Sequence, residues 1–405
     1  MHDRRLGRDF HLLWAATGLS NIGDGLRVTA LPLLATAATD DARLIAGVAV
    51  AELIPWLVFI LPGGAWADRF DRRRLRMWLD TARAIVMAVL VVVIAFDRAS
   101  IVVIYVIAAL LASGEAVVDS SSMALVPATV HERDLERAVG RLSSTELATN
   151  GLIGPPIGGL LFGFAVVAPF AIDALTFVAA AVVVAAMSGT YAPASTESRR
   201  RSLRAEIGEG FRWLWGHRRL RRLALVSTAL GTADFIGTAV FVLFARDVLG
   251  LSAGGYGLLL VPVALGGIAG SLLAGRLTSI PLRPVLTVAI LVSGVATWAV
   301  STSSEPVIVG VLTGVSAAAV LVWNVLTIAL RQRIIPDRLL GRVGASYRFL
   351  VYLGMPFGAL AGGFLADAFG VRTALAVNGI ALVVIATTIP LALRDGAPEG
   401  ADGRA

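Results

Sequence analysis

Several ionisable side chains stand inside long apolar runs. Asp24 and Arg27 are three residues apart in the run 10–38, on one face if that run is a helix. Glu115 and Asp119 are four apart in the run 100–129, again on one face. Asp234 lies in the run 219–249. At membrane depth such groups cost several kcal/mol unless paired or hydrated, so they mark function by default. An Asp–Arg pair is stable when both partners are ionised. Protonating Asp24 would release Arg27, which couples a proton to a change of shape; a fixed structural ion pair accounts for the same spacing. Two carboxylates in low dielectric resist joint ionisation, which suits one of Glu115 and Asp119 to carry a proton. Solvation of Asp119 in a water-filled vestibule is the alternative. Glu52, Glu146 and Arg348 are further candidates. Asp80 and Arg83 are expected near one membrane boundary and Asp173 near the other, where snorkelling or solvation suffices.

No catalytic chemistry is expected. The four His residues (His2, His11, His131, His217) are scattered and there is no Cys, so neither a metal-ligand cluster nor a disulfide is expected. With no nucleophile–base set and no nucleotide-binding loop, the sequence reads as neither an enzyme nor, by itself, an ATP-driven pump. No cofactor is expected.

These charges need a scaffold that holds them within a bilayer. The 405 residues are 57% hydrophobic and 16% charged, where a soluble chain carries about a quarter charged. Twelve spans are expected, near 10–38, 44–67, 76–96, 100–129, 139–165, 168–190, 219–249, 255–278, 284–302, 305–330, 341–368 and 371–393, since a bilayer core takes about 20 apolar residues per helix. All 35 basic residues are Arg, and their placement orients the spans. With the N-terminus inside, the inner segments hold 28 of them and the outer loops four: Arg43, Arg98, Arg246 and Arg372. That imbalance puts both termini in the cytoplasm. It also explains the formal charge of +7 without a nucleic-acid partner.

The chain repeats itself. An offset of 210 residues places Asp24 on Asp234, Leu33 on Leu243 and Gly47 on Gly257. An offset of 204 places Gly154 on Gly358 and Gly158-Gly159 on Gly362-Gly363. Repeated halves imply a transporter with its site between two bundles. The expected organisation is a six-helix bundle over 1–190, a basic linker over 191–218, a second bundle over 219–395 and a disordered tail over 396–405. In the linker, Leu203, Ile207, Phe211 and Leu214 recur at helical spacing, which reads as an amphipathic helix at the membrane surface; a plain linker helix is compatible with it.

Five stretches carry a family resemblance. Gly64-Ala65-Trp66-Ala67-Asp68-Arg69-Phe70-Asp71-Arg72-Arg73-Arg74 resembles the cytoplasmic loop signature of the major facilitator transporters, with Asp71 where that family usually has Gly. The resemblance implies a gating contact made through Gly64, Asp68, Arg69, Arg72 and Arg73; an anchor for topology is the plainer alternative. Gly151-Leu152-Ile153-Gly154-Pro155-Pro156-Ile157-Gly158-Gly159 resembles a motif associated with antiporter members. Its small residues suit close helix packing and its prolines a kink. Phe10-His11-Leu12-Leu13-Trp14, Ser20-Asn21-Ile22-Gly23-Asp24 and Glu209-Gly210-Phe211-Arg212-Trp213-Leu214 resemble the macrolide-efflux and enterobactin-exporter branch. The Arg that many drug antiporters carry in span four is replaced by Leu110.

The resemblance implies an all-α membrane protein of two pseudo-symmetric six-helix bundles, in the plasma membrane, with protons, lipid and a small-molecule substrate as partners and a monomer as the working unit. It implies a cavity lined by spans one, four, seven and ten. There Phe235, Trp323, Asn324 and Arg348 are substrate-contact candidates, although such aromatics are more often helix packing than ligand contacts. The expected activity is proton-driven export of amphipathic small molecules: a drug, secondary metabolite or siderophore. Proton-coupled import of a polar nutrient is the alternative.

Overall fold

The computed structural model describes residues 6–60, 70–189, 191 and 203–393. Its described secondary structure is helical. In the N-terminal half, α1 is Arg8–Ala38, α2 Ala42–Phe59, α3 Arg72–Ala95 and α4 Ile101–Thr129. The interrupted segment α5 covers Glu132–Phe164, and α6 is Ala168–Ala185. A separate helix α7, Leu203–Gly216, follows. The C-terminal half holds α8 (Arg218–Val248), α9 (Ala253–Ser279), α10 (Leu282–Thr302), α11 (Pro306–Ile334), α12 (Asp337–Phe369) and α13 (Val371–Ala392). Eleven described helices are long and apolar enough to cross a membrane. Helix α1 is not among them although its 31 residues span about 46 Å, since the polar residues along it dilute its hydropathy.

Local chemistry sets the helix ends. Asp41 caps α2 by accepting from the Arg43 N–H, and Ser252 caps α9 through the Gly255 N–H. Asp71, the departure from the loop signature, caps α3 through the Arg74 N–H. Gly370 takes φ 85°, a left-handed turn that joins α12 directly to α13.

The halves are built alike. Helix α1 packs on α5 and α6, α3 on α4 and α6, and α2 on α4. In the same way α8 packs on α12 and α13, α10 on α11 and α13, and α9 on α11. The duplicated glycines explain the match. A methyl at Gly154 or Gly158 would strike the α1 backbone at Gly25 or Leu26. One at Gly358 or Gly362 would strike α8 at Thr232 or Ile236. Gly159 and Gly363 face across the halves instead. Gly159 seats α5 on Ala253 and Gly257 of α9, while Gly363 seats α12 on Ala42, Arg43 and Ala46 of α2. Both seams lie toward the arginine-poor end. Two ion pairs cross between the halves there: Arg43–Asp367 at 3.5 Å and Arg246–Asp40 at 3.3 Å. Gly151 has a looser place, in ordinary contact with Ala264 of α9.

The irregularity in α5 is a wide π turn over Leu147–Ile153 that runs without a break into Gly154–Phe164, with Pro155 and Pro156 in the first turn after it. Prolines inside a continuous helical path offer no N–H to the preceding turn. One expectation needs correction. The apolar face of α7 lies on α12, with Leu214 buried and the rings of Phe211 and Phe349 5.8 Å apart. Arg342 of α12 fastens it through Glu209 at 2.7 Å and Glu206 at 3.2 Å. That face is covered by protein rather than turned to headgroups.

Candidate functional site

Arg27 stands at the centre of the N-terminal half. One of its terminal nitrogens donates to Asp24 at 3.1 Å and to Glu115 of α4 at 2.8 Å. The other donates to Glu52 of α2 at 3.0 Å. Arg83 of α3 closes the cluster, donating to Asp24 at 2.5 Å and to the Ser20 hydroxyl at 3.3 Å, and lying 3.9 Å from Glu115. Its guanidinium also covers the Phe177 ring of α6 at 4.0 Å. Small residues make the room: a methyl at Gly114 would meet the Arg83 stem at 2.9 Å. Asp24, Arg27 and Arg83 are buried, whereas the side chains of Glu52 and Glu115 are 36% and 30% exposed. The two glutamates are thus the cluster's open side.

The sequence expectations divide here. The Asp24–Arg27 pair is present, but Arg27 is shared by three carboxylates and Asp24 by two guanidiniums. Glu115 turns to Arg27, while Asp119 is exposed and has Arg348 and Arg76 as its charged neighbours, so the two do not act as a mutually repelling pair. Asp80, Arg83 and Asp173, expected at hydrated boundaries, are all three buried. Asp80 lies 3.5 Å from Arg76 on the same helix. Asp234 has the Thr238 hydroxyl as its partner, in place of the guanidiniums that hold Asp24. Gly64, Asp68 and Arg69 lie outside the described residues.

Asp119 and Arg348 belong to opposite halves, are both exposed, and interact electrostatically, so they face one solvent-reachable cleft. They sit about 27 and 31 Å along their helices from the arginine-poor ends, so the cleft reaches toward the arginine-rich side. Trp323 is not a cleft residue: it is 4% exposed and packed in the core of the second half. Phe235 packs against the larger core, and Asn324 is exposed.

The remaining loop arginines have a structural task. Arg73 donates to the Val184 carbonyl at 3.2 Å and to that of Ala185, and Arg8 to that of Ala186 at 3.4 Å. They thereby cover the C-terminal end of α6. Beside them Asp9 accepts from the Ser188 and Gly189 N–H groups at 3.2 and 3.1 Å and from the Tyr191 hydroxyl at 2.6 Å. The Arg72 N–H donates to the Tyr191 carbonyl at 3.4 Å. Burial, and then the bond to Asp9, push the Tyr191 phenol up to about 12. Its folded value exceeds its ordinary one near 10, so this bond stabilises fully below about pH 10 and is lost as pH rises toward 12. Tyr191→Phe should cost about 1.5–3 kcal/mol, the value of a hydrogen bond to a charged group. Thermal melts near neutral pH check this, and the deficit should vanish in strongly alkaline buffer.

At the opposite end Arg43 holds the Asp41 carboxyl at about 2, mainly through their hydrogen bond. Because that value is depressed, the interaction persists above the ordinary carboxylate range and fails only as pH falls toward 2. Ordinary acidification therefore leaves Asp41 charged beside the arginine that reaches Asp367.

Duplicated helical halves around a cleft, with a buried charge cluster in one of them, define a multi-pass membrane transporter. The chain belongs to the transmembrane secretion effector family of the major facilitator superfamily, which it matches over residues 7–401. It is 28% identical to the multidrug efflux pump Tap of Mycobacterium tuberculosis over 420 aligned positions, covering 98% of this chain and 96% of that one. Against macrolide efflux protein A of Streptococcus pyogenes it is 24% identical over 386, covering 94% and 95%. The fold superposes on the nucleoside transporter NupG with a TM-score of 0.76 at 14% identity, covering 96% of this chain and 100% of that one. A bacterial homologue of the iron transporter ferroportin in an inward-facing state gives 0.76 at 15%, covering 97% and 100%. The family consists of transporters and not enzymes.

Proposed function

We propose that this chain is a proton-coupled antiporter that exports amphipathic small molecules by alternating access. The observation that carries this reading is the Arg27 cluster, where one buried guanidinium holds three carboxylates from three helices, two of them partly exposed. Such a cluster changes its internal pairing when one carboxylate gains or loses a proton. The efflux pumps to which the chain is similar support the direction of transport.

In this reading α1 is the twelfth span, both termini lie in the cytoplasm and the arginine-poor end faces outward. The protein works as a monomer in the plasma membrane, with the proton gradient as its driving force and no cofactor. The described conformation is inward-facing, closed by the α2–α12 and α5–α9 seams. A substrate entering from the cytoplasm meets Glu52 and Glu115, and its arrival favours release of their proton inward. After the halves rock, substrate leaves, a proton from outside takes its place, and the protonated carrier returns. Since α7 is pinned to α12, it travels with the second half.

Everted vesicles test this. With the lumen acidified and a pH dye inside, adding substrate should alkalinise the lumen in wild-type vesicles and leave control vesicles unchanged. Acidification on substrate addition would point to symport, and no pH change at active transport would remove proton coupling.

A further inference from the structure

Asp173 is a buried carboxyl beside the Arg27 cluster with no guanidinium at ion-pair distance among the described residues. It sits on α6, fully buried, and among the described residues its Oδ2 has no hydrogen-bond partner. Its Oδ1 lies 3.4 Å from the Thr176 hydroxyl, which donates more closely, at 2.7 Å, to the Asp173 backbone carbonyl. The charged groups around it come from every neighbouring helix that carries any: Asp24 and Arg27 on α1, Arg83 on α3 and Glu115 on α4. The stretch of α5 against α6, Gly154–Phe164, carries none. Water is kept out by contact. A methyl at Gly23 would collide with both the Asp173 carboxyl and the Thr176 hydroxyl, so the bare α1 backbone presses on the acid.

Charge balance then limits its state. Asp24, Glu52, Glu115 and Asp173 share two guanidiniums, Arg27 and Arg83, both committed to the first three. With all four acids ionised, the site would carry two uncompensated negative charges in low dielectric. A carboxylate only accepts hydrogen bonds, and a buried one lacking both cation and donor is the least favourable of the four. Asp24 lies between two guanidiniums, and the glutamates reach the cleft; Asp173 has neither recourse.

We propose that Asp173 is a resident neutral acid that holds one of the two protons the cluster requires and does not exchange it with the cleft. Its neutrality leaves three carboxylates facing two guanidiniums, and so one exchangeable proton, shared by Glu52 and Glu115. Asp173 is thus a positioning residue that sets the charge of the cluster. The count of one proton rests on the antiport reading above; the protonation of Asp173 does not.

Infrared spectroscopy of the purified protein in lipid vesicles, with no substrate added, tests it. A carbonyl band of a protonated carboxylic acid should persist as bulk pH is raised from about 6 to about 9, beyond the range where ordinary carboxyls titrate. Asp173→Asn, of the same shape and permanently neutral, should remove that band while the protein keeps its melting temperature. Loss of the band from wild type across this range, or its survival in Asp173→Asn, would overturn the proposal. If the variant does not fold, the same titration in the Glu52→Gln/Glu115→Gln protein decides: the band should persist there to about pH 9, and its loss would overturn the proposal. A persistent band together with everted vesicles that show no proton movement would sink the antiport reading and leave a neutral Asp173 standing.

Discussion

Arg27→Gln should abolish transport and destabilise the protein more than any other single change in the charge cluster. The guanidinium satisfies Asp24, Glu52 and Glu115 at 2.8 to 3.1 Å while itself buried. Removing one partner from a buried ionic arrangement costs about 3–5 kcal/mol, because the remaining charges lose their compensation without regaining water. Arg83 cannot replace it. That side chain is committed to Asp24 and to the Phe177 ring and lies 3.9 Å from Glu115. The cost should therefore be read as excess negative charge. It follows that Arg27→Gln/Glu115→Gln should recover part of the lost melting temperature, although the pair removed includes a second partner. Transport should stay absent in the double variant, since the guanidinium that links the three helices is still missing. Melts in detergent and drug efflux from cells separate the two effects. A single variant that melts normally and still exports would reduce the cluster to a passive support.

The sequence made the scaffold legible because bilayer burial imposes runs of about 20 apolar residues, and the structure begins and ends most helices within a few positions of those runs. The repeat was legible because glycines report close approach: the offsets of 210 and 204 residues bring Leu26 and Ile236 against Gly158 and Gly362. The cluster was only half legible. Asp24, Arg27 and Glu115 could be singled out by their depth. Arg83 and Asp173 are not legible in this way, because distance from a helix end does not measure distance from water. In the structure α1 crosses α6 at Gly23 and covers Asp173, and Arg83 turns inward past Gly114. Neither crossing can be read from one helix alone. The burial of Trp323 is likewise not shown by one helix, since periodicity does not separate a core-facing aromatic from one that meets substrate.

Gly159→Val should trap the protein away from the inward-facing state while leaving both halves folded. Gly159 lies on the seam between α5 and α9, where even a methyl would come 3.1 Å from the Gly257 Cα and closer still to the Ala253 carbonyl. Its neighbour Gly158 presses instead on Leu26 of the same half. A branched side chain at either position overpacks, at about 1–3 kcal/mol. The consequences differ because only one of these contacts breaks when the halves rock. At Gly158 the penalty is present in every working conformation and lowers stability. At Gly159 it applies only when the arginine-poor end is closed, so the same energy biases the conformational equilibrium by roughly 5- to 150-fold. The chain contains no Cys, so single cysteines report directly. Arg348→Cys in the cleft should label more slowly with a maleimide in Gly159→Val, and Tyr256→Cys, buried on α9, should label faster. Export should fall about fivefold or more, consistent with that shift. In Gly158→Val the labelling ratio should stay as in wild type while the melting temperature drops. Equal labelling changes in the two variants would mean that α5 tilts as a whole, and that the division of its glycines between the two partners does not govern opening.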